Sequence, residues 1–165
     1  MAVKKTYALN LGMQTVAMAE FEHLADGGLA LAGYREYELM PDPAADATRL
    51  EQIKVAVGEL RSGLNLPKML RAYFCLPSQS VFTRFLRLPG STAEDVRSVI
   101  GFEAQQNVPF PIAEVVWDYQ ILGAVRDANW DVALVAIKTD QLEEIYASCE
   151  QAGVLAYGID ISPMA

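Results

Sequence analysis

Residues 105–118 read QQNVPFPIAEVVWD, a helix stop, a rigid corner and a strand start in direct succession. Pro109 excludes the helical region for Val108, and Asn107 can take the left-handed cap conformation, so a helix arriving from the N-terminal side must end here. Phe110 is then held between two prolines of fixed φ. From Val115 the residues Val115, Trp117, Tyr119 and Ile121 alternate with Val116, Asp118, Gln120 and Leu122. That period of two predicts a strand with one strongly apolar face. A clamped aromatic corner either packs inside its own domain or offers a preorganised apolar surface to a partner.

Working outward, Val81 to Leu88 reads as a strand, and Ser91 with Glu94 three residues later predicts a capping box for the helix that stops at Asn107. Downstream, Val115–Val125 and Trp130–Lys138 predict a hairpin around Asp127-Ala128-Asn129. Asp140 with Glu143 then opens a helix through Leu142, Ile145, Tyr146 and Cys149, which Gly153 ends. Val154 to Ile161 follows as one more strand.

On the N-terminal side Tyr7, Leu9 and Leu11, then Val16 to Phe21, then Leu29 to Leu39 form a three-strand meander broken at Gly12 and at Asp26-Gly27-Gly28. After Pro41 and Pro43, the helical spacing of Leu50, Ile53, Val57 and Leu60 predicts a helix from about Ala45 to Ser62, capped at Gly63. Leu70–Leu76 is an apolar strand closed by Pro77. Strand, crossover helix and strand place it parallel to an earlier strand of one sheet. The final Ser162-Pro163-Met164-Ala165 reads as a helix start, from which an N-terminal fragment of a longer protein is expected.

The composition narrows the function. At 165 residues and 52% hydrophobic content the chain can bury a core. A formal charge of -8 leaves no basic stripe for nucleic acid. The longest unbroken apolar run, Val132 to Ile137, is far short of a membrane span. Lys4, Lys5 and Ala17-Met18-Ala19 imitate a secretory signal, but Asn10, Gly12 and Gln14 interrupt its apolar region, so the cytoplasm is expected. Cys75 and Cys149 read as small buried residues, and His23, the single histidine, as a surface residue without chemistry. The pairs Glu94-Asp95 and Glu143-Glu144 sit at helix starts, where acids suit the helix dipole.

The stretch NVPFPIAEVVWDY, with the opening ALNLGMQTVAMAEF and the closing GIDISPMA, resembles the PilM family of actin-like type IV pilus assembly proteins, related to FtsA. The resemblance implies an α/β, actin-like (ribonuclease H-like) fold: a mixed five-stranded sheet from residues 1–77 and 154–165, and a small α/β subdomain inserted as 78–153. The second domain found in the family is expected to lie outside this chain. In the family the first strand ends in a D-I-G-x-[S/T] phosphate loop whose acid holds hydrated magnesium. Here Asn10 replaces that acid, Met13 and Gln14 replace small or hydroxyl residues, and Ala17 replaces a lysine, while Gly12 and Thr15 remain compatible. Together with Asp160 these form a degraded nucleotide site. ATP and magnesium are possible cofactors of the longer protein only, and no hydrolysis is expected of this chain, because in this fold ATP lies between two domains.

The resemblance further implies an adaptor at the inner face of the inner membrane, reaching the membrane through its partners. It would hold the cytoplasmic tail of a PilN-like membrane protein and work with other pilus assembly proteins. Val108, Pro109, Phe110, Pro111 and Ile112 would shape the groove for that tail, with Phe110 as anchor. Arg84 and Arg87 would either hydrogen-bond the tail's carbonyls or stand solvated. The alternatives are a nucleotide-regulated ATPase and a type II secretion platform component. An exposed apolar patch favouring self-association is also expected.

Overall fold

The computed structural model describes residues 4–40, 45–62, 66–90, 92–125 and 129–162. Contacts divide the chain into two compact units, Met1–Pro77 with Glu143–Ala165, and Ser78–Leu142.

The first unit is built on a five-stranded sheet from β1 (Lys5–Leu11), β2 (Thr15–His23), β3 (Leu29–Glu38), β4 (Leu70–Leu76) and, last in the chain, β8 (Val154–Ile161). Its order is β3-β2-β1-β4-β8. The meander β1-β2-β3 is antiparallel, while β4 runs parallel to both β1 and β8. That is the arrangement expected of a strand that returns through helix α1 (Ala45–Ser62). Register sets the core: Leu9 lies beside Met18 and Phe74, and Leu11 beside Val16, so these side chains share one face, and all are buried. Ile53, Ala56, Val57 and Leu60 of α1, spaced by three and four residues, are buried as well. Helix α3 (Thr139–Gln151) brings Tyr146 to the same core, with its ring 6.2 Å from that of Phe74.

The helix stop at Gly153 needs glycine on two counts. Its φ is 83°, and an added Cβ would collide with the Arg61 guanidinium and lie 2.9 Å from the Lys68 carbonyl oxygen. Arg61 donates to the carbonyls of Ala152, Pro67 and Lys68, tying the end of α3 to the approach to β4. Burial pushes the Cys149 thiol up to about 12 from an ordinary 9.0. Its neutral form is favoured in the fold, so this contribution is complete below pH 9 and is lost as the pH climbs from 9 towards 12. At neutral pH a thiol reagent is expected to modify Cys149 only after denaturant is added; rapid native modification would contradict its burial. His23, expected at the surface, is half-buried, with Nε2 2.8 Å from the Thr6 hydroxyl.

The second unit comprises β5 (Phe82–Pro89), α2 (Ala93–Asn107), β6 (Val115–Val125) and β7 (Asn129–Lys138), in sheet order β5-β7-β6. Leu88, Val96, Ile100 and Val132 form one buried cluster, and Ala104, Val108, Val115, Leu134 and Ala136 another. Trp117, Tyr119 and Ile121 pack against these clusters while Val116, Asp118, Gln120 and Leu122 are exposed, as the alternation requires.

The cap of α2 lies one residue beyond the expected one. Thr92 accepts from the Asp95 N–H at 3.3 Å, and Asp95 Oδ2 accepts from the Thr92 N–H at 2.8 Å, so the box is Thr92 with Asp95 rather than Ser91 with Glu94. Thr92→Ala is expected to cost about 1 kcal/mol, read as a lowered urea midpoint at unchanged slope. Helix α3 starts at Thr139, one residue before the expected Asp140. The division at Leu142 also falls earlier than the expected boundary at 153, because the body of α3 belongs with the first sheet. The expectations for Gly63, Ser91, Asp127, Ala128 and the last three residues lie outside the described residues. Among the described residues no helix is long and apolar enough to cross a membrane.

Candidate functional site

Two regions carry the residues singled out by sequence. In the first unit, Asn10 lies beside Ala17 on β2 and Cys75 on β4, and Cys75 lies beside Asp160 on β8. These side chains therefore occupy one row of the sheet, on the face opposite Leu9 and Phe74, near the carboxyl ends of the parallel strands β1, β4 and β8. Ligands of α/β sheets gather at such ends.

The turn joining β1 to β2 is tight: a Cβ on Gly12 would lie 2.7 Å from the Thr15 carbonyl oxygen. Met13 and Gln14 are exposed at its tip, and the Gln14 carbonyl accepts from the Leu39 N–H at 2.7 Å. Asn10 Oδ1 is shut off from solvent with no hydrogen-bond partner, while its Nδ2 lies on the Gly12 side. The residue that sequence reading missed is Arg49, half-buried in the first turns of α1. Its guanidinium donates to the carbonyls of Leu11 and Gly12, each at 3.1 Å, and of Met13 at 3.4 Å.

These residues do not fit a magnesium ion. A hard cation favours carboxylate oxygens, and the position nearest the loop offers the neutral amide of Asn10. Asp160, two strands and thus roughly 10 Å away, is exposed, and its Oδ1 accepts from the Ile161 N–H at 2.8 Å. Cys75, between them, has Sγ 3.4 Å from the Ser162 hydroxyl.

The second region is the corner, within the second unit. Helix α2 runs through Asn107, whose amide donates to the Glu103 carbonyl at 2.9 Å instead of taking a left-handed cap. The stop falls at Val108, extended at φ -76° and ψ 125°, whose N–H still reaches the Ala104 carbonyl. The corner divides by burial. Val108 is in the core and Ile112 packs against it, whereas Pro109, Phe110 and Pro111 are exposed. Phe110 is 36% exposed, and Lys138 Nζ stands 5.1 Å from its ring centroid.

The arginines divide as well. Arg87 is engaged with Asp131 across the β5–β7 pair, at 2.9 and 3.5 Å, so its guanidinium is already committed, while Arg84 is exposed. Lys138 and Asp131 carried no signal in the sequence, because only the strand register brings them to Phe110 and Arg87.

A mixed sheet of order β3-β2-β1-β4-β8, interrupted in sequence by a smaller α/β unit, defines the chain as a protein of the actin-like fold. The family model described as Type IV pilus assembly protein PilM matches residues 8–165, and the chain belongs to that family. Over 98% of its length it superposes on 48% of a chain of the PilM-PilN type IV pilus biogenesis complex, at a TM-score of 0.64 and 19% identity. It is also similar, with a TM-score of 0.53 and 8% identity over 94% of its length, to the cytoplasmic domain of EpsL. EpsL is an inner-membrane component of the type II secretion system of Vibrio cholerae, and 57% of the chain of that cytoplasmic domain is covered. Type II secretion system protein L of Xanthomonas campestris pv. campestris is 27% identical over 93 residues, 56% of this chain and 25% of that protein. The chain thus spans less than two thirds of the length of each of these relatives.

Proposed function

We propose that this chain is the partner-binding part of an adaptor in the type IV pilus assembly platform. It works in the cytoplasm at the inner face of the inner membrane and holds the N-terminal tail of a PilN-like membrane protein. The observation that carries the reading is the corner, where Val108 is buried in the core and Ile112 packs against it, so fixing the backbone that leaves Phe110 exposed between two prolines. An extended peptide binding such a corner orders little that is not already ordered. Family membership and likeness to a chain of a PilM-PilN type IV pilus biogenesis complex support the choice of partner. The charge of -8 suits a tail rich in Lys and Arg, the usual composition on the cytoplasmic side of a membrane helix. The test is calorimetric titration with a synthetic tail of the PilN-like protein: saturable binding that a scrambled tail lacks is expected, and equal binding of the two would overturn the reading.

The likeness to EpsL and to protein L favours a second setting, the type II secretion platform, with the same adaptor role. Nucleotide control is the reading the site supports less, because the residues present do not fit the magnesium ion that ATP brings.

A further inference from the structure

We infer that the outer edge of β3 is a docking site for an extended partner segment whose basic residues come first and whose apolar residues follow, added antiparallel as a further strand. β3 ends the five-stranded sheet beside β2. The direction of its backbone groups follows from the register, because in an antiparallel pair the hydrogen-bonding residues alternate along each strand. The Leu39 N–H donates to the Gln14 carbonyl and the His23 N–H to the Lys4 carbonyl, so the even-numbered residues of β2 bond towards β3 and the odd-numbered ones towards β1. Tyr37 and Arg35, opposite Val16 and Met18, therefore face β2, and the N–H and C=O groups of Tyr34, Glu36 and Glu38 are directed outward. Such a row is a template for one more strand.

Two observations select this edge and its occupant. On the outer strands β6 and β8 an aspartate turns back onto its own backbone: Asp118 accepts from the Tyr119 N–H and Asp160 from the Ile161 N–H, each at 2.8 Å. Charged side chains of this kind guard an edge. On β3, in contrast, the Glu36 carboxylate accepts from the Tyr34 hydroxyl at 3.0 Å. The second observation is how charge is spread along β3. Its first half is Leu29, Ala30, Leu31 and Ala32, with both leucines exposed, and its second half holds Arg35, Glu36 and Glu38. Beside the second half a cleft of about 380 Å³ is lined by Arg35, Glu36 and Tyr37 of β3 and by Glu59 and Leu60 of α1. Counting Glu38, three carboxylates stand against one guanidinium, which suits a lysine or arginine side chain laid along the cleft. Side chains alternate along a strand, so every second residue of an added strand is aimed at that face. Antiparallel pairing, the more stable mode, sets the first residues of the segment beside Glu36 and Glu38 and the later ones beside Leu31 and Leu29. A second copy of this chain fits poorly, since β3 paired antiparallel with itself lays its acids on those leucines. The inference rests on the first unit alone and is independent of the corner at Phe110.

The experiment is amide-resolved hydrogen exchange by NMR on the chain, with a synthetic peptide as long as β3 whose first half alternates lysine with threonine and whose second half alternates valine with threonine. The same peptide in reversed order carries equal charge and serves as the control. Slowed exchange at the Tyr34, Glu36 and Glu38 amides, saturable and stronger with the forward peptide, is the expected result. Glu59→Lys, a change at an exposed position of α1, should weaken binding several-fold, while Phe110→Ala should leave it unchanged. The inference is overturned if those three amides exchange as before at millimolar peptide, if the reversed peptide protects them equally, or if Glu59→Lys binds as tightly as wild type. Protection that grows with protein concentration in the absence of peptide would assign the edge to a second copy and overturn it as well.

Discussion

Phe110→Ala is expected to weaken binding of the partner tail at least tenfold while lowering folding stability by no more than about 2 kcal/mol. The two halves of this expectation have separate causes. Phe110 is 36% exposed, so part of its ring stays open to a partner, and Lys138 Nζ lies 5.1 Å from its ring centroid. An aromatic anchor on a rigid backbone contributes far more to a partner than to its own domain, because truncated anchors commonly lose 2 kcal/mol or more of binding. Calorimetry with the tail and a urea melt measure the two quantities on the same protein. A variant that unfolds, or one that binds the tail like wild type, would remove Phe110 from the site.

The same substitution at Phe74 should do the reverse. Phe74 is 1% exposed, lies beside Leu9 and Ile159 on the neighbouring strands, and faces the Tyr146 ring of α3. Removing the ring opens a cavity at the centre of the first unit's core, and Phe74→Ala is expected to cost about 3 to 5 kcal/mol. A loss of unfolding free energy, from denaturant melts, of less than a third of that would show that the strands or α3 are not packed as described. Phe110 and Phe74 are chemically identical, so comparing them separates a surface role from a core role without a change in side-chain type.

Much of this architecture could be read from the chain, and the exceptions have identifiable physical causes. The strand and helix bounds of the meander, α1, β4, β6 and β8 follow from apolar periodicity and from glycine and proline breaks, because those elements each bury one face. The α2 cap was ambiguous at the level of residue type: Ser91 and Thr92 are both hydroxyl caps, and Glu94 and Asp95 both acids three residues on. Only the backbone course selects Thr92 with Asp95. Asn107 is a plausible left-handed cap, yet the proline after Val108 already ends the helix by forcing Val108 into extended backbone.

The site was less accessible still. Arg49 reads as one polar residue in an amphipathic helix, and its contact with the β1–β2 turn arises from the way α1 packs on the meander. Arg87 reads as a solvated arginine until the register puts Asp131 opposite it. At the corner, sequence identifies the rigid backbone but not which side chains turn inward. That is decided by the core, which takes Val108 and Ile112 and leaves Phe110.

The most direct test of the adaptor reading is the affinity of the protein for the PilN-like tail, measured by calorimetry with and without magnesium-ATP. The account predicts the same dissociation constant in both conditions, since the β1–β2 loop offers the neutral amide of Asn10 and not the carboxylate a hard cation favours, and Arg49 holds the turn through the carbonyls of Leu11 and Gly12. Tail binding that appears only with magnesium-ATP, or that strengthens tenfold or more in its presence, would contradict it.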